Sequence, residues 1–248
     1  MKKGVFITGT DTGVGKTIIA ALVIRLLRQR GVRAGVMKPI ETGCESIYGA
    51  LMPKDGTYLR AMAEADDSID LVTPLRFRYP LAPLVAAELE EKPVDLSRVM
   101  SAYEALSKRY EFLVVEGAGG LLVPIARDAS PLPAPHHGSP YFMRDLARDM
   151  ELPLVIVARA TLGTINHTLL TVEHALSEGL NVLGVIINYS SPGAGGIAEK
   201  TNPDALRELC PVPILGTVPY IEGITRGILD TLALTAGDSL AASLLGRT

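Results

Sequence analysis

Along the chain, short apolar runs alternate with longer stretches whose apolar positions recur every three or four residues. Residues 5–8 (Val-Phe-Ile-Thr) read as a first strand. Over residues 17–30, Ile19, Leu22, Val23, Leu26 and Leu27 line one side of a helix, and Gly31 stands where a left-handed cap would end it. The alternation continues with a strand at 33–37 stopped by Pro39, and a helix at 94–109 with Asp95 or Ser97 as its cap. Strands follow at 111–116 and 154–158, then a helix at 165–178 and a strand at 182–187. A helix at 198–209, a strand at 214–218 and a C-terminal helix at 228–245 complete the pattern.

These strands are apolar on both faces, which is the signature of a parallel sheet covered on each side by crossover helices. The expected fold is therefore α/β: one doubly wound, mostly parallel sheet flanked by helices, a single domain over residues 1–248. Ligands of such sheets bind beyond the carboxyl ends of the strands. Glycine clusters at 9–15 and 117–120 both follow strands, which assigns them to that edge. The stretch 127–140 (RDASPLPAPHHGSP) breaks the pattern and reads as a mobile surface loop. Its histidines, His136 and His137, are adjacent, so their side chains diverge, and a solvated loop accounts for them better than a metal pair.

Composition narrows the function classes. The chain has 248 residues, 48% apolar and 21% charged, enough to bury a sizeable core. A net charge of −3 argues against a dedicated nucleic-acid binder. Cys44 and Cys210 make neither a disulfide framework nor a zinc site. No apolar run reaches the roughly 18 residues of a membrane helix, and the apolar run after Lys2-Lys3 is too short for a signal peptide. The expectation is a cytoplasmic protein without membrane or nucleic-acid partners.

The chemistry concentrates at the strand ends. Gly9-Thr10-Asp11-Thr12-Gly13-Val14-Gly15-Lys16-Thr17 lies between a strand and a helix. A phosphate loop needs glycines so that backbone N–H groups wrap phosphate, a lysine for the β/γ oxygens and a hydroxyl for Mg²⁺. Gly15, Lys16 and Thr17 meet those needs, and the helix N-terminus adds its dipole. The loop is a variant, with Gly9 one step before the usual first glycine. Glu116, ahead of Gly117-Ala118-Gly119-Gly120, ends a strand where a carboxylate would hold Mg²⁺. A buried, unpaired Glu at a strand end would be costly, so a partner is expected. Lys38, in Met37-Lys38-Pro39-Ile40-Glu41-Thr42-Gly43, brings a second cation to the edge, suited to a γ-phosphate or a developing anion. Asp55 and Asp11 are further candidate acids, and the sequence does not say which reaches the metal. Cys44 lies nearby without a base to activate it. Asn188 ends an apolar strand, placed either to bond a nucleotide base or to cap the next turn.

Together these residues resemble the dethiobiotin synthetase family, whose phosphate loop G-T-D-T-x-V-G-K-T residues 9–17 match at every specified position. Lys38-Pro39 with Thr42-Gly43, the Glu116 turn, Leu162-Gly163-Thr164-Ile165-Asn166-His167-Thr168-Leu169-Leu170-Thr171, Asn188 and Val218-Pro219-Tyr220 are similar to it as well. The resemblance runs from residue 4 to about 225. It implies an ATP-dependent cyclo-ligase that makes dethiobiotin from 7,8-diaminononanoate and CO₂ through a carbamate and a carbamic-phosphoric anhydride. It implies that Gly13, Val14, Gly15, Lys16, Thr17 and Ile18 hold the phosphates. Thr17, Asp55 and Glu116 would bind Mg²⁺, with Gly117, Ala118 and Gly119 beside the nucleotide. Lys38 and Lys16 would be catalytic, and Thr12 and Thr42 would contact the diamine or its carbamate. Asn188, Pro219, Tyr220 and Ile221 would surround the adenine. A homodimer is also implied.

Where the family often has Ser-Pro-His, this chain has Ala82-Pro83-Leu84, and its 127–140 loop is longer than usual. The alternative reading is a partner-regulated ATPase switch of the partition or septum-placement type, which shares this fold and loop style. Such proteins carry a signature lysine where this chain has Asp11.

Overall fold

The computed structural model describes residues 4–128, 139–192, 196–235 and 237–246. His136 and His137, and most of the loop expected at 127–140, lie outside the described residues. The chain opens with β1 (Gly4–Gly9), α1 (Lys16–Gln29) and β2 (Ala34–Met37). A group of small elements follows: β3 (Ile40–Glu41), β4 (Glu45–Ile47), β5 (Ala50–Met52), α2 (Lys54–Met62), α3 (Ile69–Val72), β6 (Leu75–Arg76) and α4 (Pro83–Leu89). Next come α5 (Leu96–Arg109), β7 (Phe112–Glu116), β8 (Pro124–Ala126), β9 (Tyr141–Phe142), α6 (Met143–Asp149) and β10 (Leu154–Arg159). The remainder is α7 (Thr164–Ser177), β11 (Val182–Asn188), α8 (Ile197–Leu209), β12 (Ile214–Val218), α9 (Arg226–Thr235) and α10 (Gly237–Leu245).

Six strands form one sheet in the order β12-β11-β10-β1-β7-β2, with every pair parallel. The order reverses at β1, which lies between β7 and β10, and the phosphate loop leaves the sheet there. Register brings Ile7 level with Glu116 on one side and with Val155 on the other. Met37 is level with Val115, so Lys38 emerges beside Glu116.

The alternation of side chains along β1 divides the core. Val5 and Ile7 face a cluster built with Ile19, Leu22, Val23 and Leu26 of α1, Leu59 of α2, Leu229 of α9 and Leu240 of α10. Phe6 faces the opposite cluster, with Val99, Tyr103 and Leu106 of α5, Leu146 of α6 and Val172 of α7. Sealed on both faces, the strands have no polar side to present, which is why they read as continuous apolar runs.

Helix ends follow local chemistry. Gly31, at φ +76°, closes α1: its N–H donates to Arg28 O and that of Val32 to Leu27 O, the paired bonds of a Schellman cap. Asp95 caps α5 by accepting from Arg98 N–H at 3.1 Å. The expected C-terminal helix is seen as α9 and α10 on either side of residue 236, which lies outside the described residues. Residues 40–92 and 141–149 hold elements that the periodicity did not indicate. Among the described residues, no helix is long and apolar enough to cross a membrane.

Candidate active site

The site forms where β1, β2 and β7 end. Gly15 enters α1 at φ +93°, and a Cβ there would overlap Asn188 Nδ2, so the residue must be glycine on both counts. Helix α1 has no side-chain cap and no acidic residue in its first turn. Its N-terminal N–H groups and dipole are therefore offered to an anion. Val14 is fully buried in the core, and its carbonyl accepts from Asn188 Nδ2 at 2.9 Å. The side chain at the end of β11 thus fastens the phosphate loop from beneath.

Lys16 folds back along the loop, its Nζ donating to Asp11 O at 2.9 Å. Burial, and then repulsion from Lys38, lower its pKa to about 8. Lys38 is 4% exposed, and its Nζ lies 2.6 Å from Glu116 Oε1 and 3.2 Å from Asp55 Oδ2. Burial works against its charge, but Glu116 and then Asp55 outweigh that cost, and its pKa rises above the ordinary lysine value. Glu116 is 1% exposed. Its Oε1 also accepts from Thr17 Oγ1 at 2.9 Å, while Oε2 has no partner among the described residues. Burial raises its pKa, and Lys38 pulls the other way.

An unpartnered buried carboxylate oxygen is costly, and this one belongs to a carboxylate that accepts from the Thr17 hydroxyl and shares Lys38 with Asp55. Thr17 Oγ1, Glu116 and Asp55 make a small, hard oxygen set. That suits Mg²⁺, which binds through one or two carboxylates and keeps waters and substrate phosphates for its other positions. Among the described residues, no group of three or more His, Cys, Asp or Glu forms a metal cluster. The donors present fit a nucleotide-borne Mg²⁺ better than an all-protein site.

One cavity of about 740 Å³ gathers most of the sequence-predicted residues. Thr12, Gly13, Gly15, Lys16, Thr17, Ile18, Lys38, Thr42, Asp55, Glu116, Ala118 and Gly119 all line it. Gly117 is not among the lining residues, but its carbonyl accepts from Lys38 Nζ at 3.4 Å. Of the two open acids, Asp55 reaches Lys38, whereas the Asp11 carboxylate turns away to pair with Arg159. Cys44 is buried, its thiol pushed up to about 11 by burial, which makes it inert.

A separate cavity of about 400 Å³ is lined by Tyr189, Thr217, Pro219 and Tyr220. Asn188 and Ile221 do not line it. Sequence reading did not single out Tyr189, Thr217, Arg159 or the Pro80–Leu81 segment that walls the larger cavity. Arg159 carried a legible signal, a cation closing an apolar strand at the phosphate edge. Pro80 and Leu81 carried none, because only the tertiary path of the chain brings them near.

A glycine-rich loop between a central parallel strand and a helix, with a lysine and a hydroxyl at the helix start, defines a P-loop nucleotide-binding protein. Residues 3–227 match a family model described as an AAA domain. The septum site-determining protein MinD of Pyrococcus horikoshii OT3, solved with Mg-ADP, shares the fold at 16% identity and TM-score 0.51, over 98% of this chain and 93% of that one. A ParA family ATPase from Chlorobium tepidum TLS does so at 13% identity and TM-score 0.51, over 99% and 98%. Sequence relatives are far more similar. A protein of Thermodesulfovibrio yellowstonii is 49% identical over 234 residues, 94% of this chain and 95% of its own length. One from Bacillus subtilis strain 168 is 38% identical over 98% and 97% of the two chains. One from Methanocaldococcus jannaschii is 42% identical over 86% and 92%. All three bear the name ATP-dependent dethiobiotin synthetase BioD. The chain belongs to the dethiobiotin synthetase family.

Proposed function

We propose that this protein is an ATP-dependent ligase of biotin biosynthesis that closes the ureido ring of dethiobiotin from 7,8-diaminononanoate and CO₂. The observation that carries the reading is the convergence of Lys16, Lys38 and the half-satisfied Glu116 on the phosphate-loop cavity. Family membership supports the same reaction. The partner-regulated switch shares the fold and the style of phosphate loop with this chain, at 16% identity or less in the structures compared, but Asp11 occupies the place of its signature lysine.

The reaction joins anions, so charge neutralisation and positioning are its main demands. One amine adds to CO₂ and sheds a proton, giving a carbamate. The carbamate oxygen attacks the γ-phosphorus, and ADP leaves. The second amine then attacks the carbonyl carbon and sheds a proton, and phosphate leaves as the ring closes. In this assignment the glycine loop and the N-terminus of α1 hold the β- and γ-phosphates, with Lys16 as their cation. Lys38, held between Glu116 and Asp55, faces the carbamate and the oxygens of the transferring phosphoryl group. Thr17, Glu116 and Asp55 would hold Mg²⁺, which supplies charge neutralisation on the phosphates when bound. Thr12 and Thr42 contact the diamine or its carbamate. Pro219 and Tyr220 line the cavity assigned to adenine. Asn188 and Ile221 belong to the same base site by resemblance, and the Asn188 amide also holds the phosphate loop through Val14 O.

We further assign the active unit as a homodimer of one-domain chains in the cytoplasm. Exposed Leu122 and Leu170, beside the phosphate loop, are apolar surface suited to a second copy.

The deciding experiment measures phosphate release from Mg-ATP and bicarbonate, with and without 7,8-diaminononanoate, while dethiobiotin is followed by mass. One phosphate per dethiobiotin is expected. Release that ignores the diamine, or that waits for a protein partner or a membrane, would sink the ligase reading.

A further inference from the structure

Glu41 ends β3 inside the catalytic cavity, yet no role above uses it. It is 6% exposed, and it points not at the phosphates but at the start of α2. That helix follows Pro53 and has no side-chain cap of its own. Two of its unsatisfied N-terminal donors are taken by Glu41 instead: Asp55 N–H donates to Oε1 at 3.0 Å and Gly56 N–H to Oε2 at 2.9 Å. A carboxylate fourteen residues upstream therefore does what a cap residue usually does, and it complements the helix dipole as well.

The seat is tight. A Cβ on Gly56 would collide with Thr73 Oγ1, so the first turn of α2 approaches its neighbours as backbone alone. Asp55 is tied at its N–H, while its partly exposed side chain reaches Lys38 Nζ at 3.2 Å. Both oxygens are turned to the amides of α2. Glu41 acts through the residue it holds.

We propose that Glu41 is a positioning residue for the Mg²⁺-nucleotide site, clamping the first turn of α2 so that the Asp55 carboxylate stays beside Lys38. The proposal rests on the assignment of Asp55 to Mg²⁺ made above. In Glu41→Gln one acceptor survives, but the side-chain NH₂ confronts the second N–H, and the clamp opens on one side. Glu41→Asp keeps the charge on a shorter stem and partly restores the contact.

The test uses the full-length protein and two readouts. The first is amide hydrogen exchange at residues 55 and 56 without metal or nucleotide. The second is the Mg²⁺ concentration that half-saturates binding of a non-hydrolysable ATP analogue. Glu41→Gln should speed exchange at both amides by about tenfold and raise the Mg²⁺ requirement by about tenfold. Turnover at saturating Mg²⁺ should change far less than the Mg²⁺ requirement, and Glu41→Asp should fall between Glu41→Gln and the parent. Unchanged exchange, or faster exchange with an unchanged Mg²⁺ requirement, overturns the proposal. Should Glu41→Gln not fold, Gly56→Ala displaces the same turn with every carboxylate present. It must raise the Mg²⁺ requirement too, or the proposal is wrong. Asp55→Asn separates the two levels of the argument. If it weakens Mg²⁺ binding and Glu41→Gln does not, the positioning role alone fails. If Asp55→Asn has no effect, the metal assignment fails and takes the clamp's purpose with it.

Discussion

Lys16 is a buried cation whose neighbour is another cation, and its proton is correspondingly loose. In the free protein it is lost near pH 8, whereas an unfolded-chain lysine keeps it to about 10.5. Between those values the unfolded chain binds more protons, so the contribution of Lys16 to stability rises with pH across that window. A triphosphate beside the amine restores the proton. Nucleotide binding at pH 8–9 is therefore expected to take up protons, seen by calorimetry in two buffers of different ionisation heat. Lys16→Arg should abolish the uptake, because a guanidinium stays charged. An uptake that survives this change would place the titrating group elsewhere. Lys38 differs: its carboxylate partners keep it charged. Lys38→Ala is expected to lower turnover by about 100-fold or more while leaving the circular dichroism unchanged. Turnover retained within a few-fold would remove Lys38 from the chemistry.

Among the elements, α1 carries the phosphate loop at one end and an ion network along its outer side. The Arg25 guanidinium reaches Asp230 of α9 through Nε at 2.6 Å, and Glu64, just past α2, through a terminal nitrogen at 2.9 Å. Arg28 and Arg226 complete the group around Glu64. Asp230→Ala would leave a buried arginine half-paired. It is expected to cost about 2 kcal/mol, below the full cost of breaking a buried pair because Asp230 is partly exposed. Denaturant titration checks this, and an unmoved midpoint would mean that the network contributes nothing. None of these contacts was visible in the sequence, since Arg25 and Asp230 are 205 residues apart. What was visible was whatever a short window contains. Ile19 to Leu27 repeat at helical spacing, Gly31 marks a stop, and residues 112–115 are apolar throughout. The phosphate loop was legible for the same reason, as its chemistry lies in consecutive residues. The region from β3 to α4 was not, because its elements are too short for a period to establish itself. Glu41 shows the limit most clearly. It sat inside a motif already singled out, but its partner amides are brought to it only by the turn of the chain after β5.

For the molecule as a whole, the apolar residues left outside the core are informative. Leu162 is 86% exposed just before α7, and Leu170 is 58% exposed on it. Leu170 and Leu122 line a cavity of about 320 Å³ beside Gly9 to Thr12, so a second copy seated there would lie against the phosphate loop. Leu170→Arg is expected to convert a dimer to a monomer in light scattering and to reduce turnover with it. A mass that is already monomeric in the parent protein would end the dimer assignment.

The position of β1 has a consequence for synthesis. It is translated before both of its partners, β7 and β10, and its register with β10 extends to Val157. At roughly 5–20 residues per second, the ribosome needs on the order of 10–30 s after β1 is made to supply both neighbours. Until β7 is made this apolar segment has two unpaired edges, and until β10 is made it keeps one. Ribosome-bound chains that stop before residue 112 should therefore be cut readily by protease within residues 4–9, and that protection should arrive only once the β10 segment has cleared the exit tunnel.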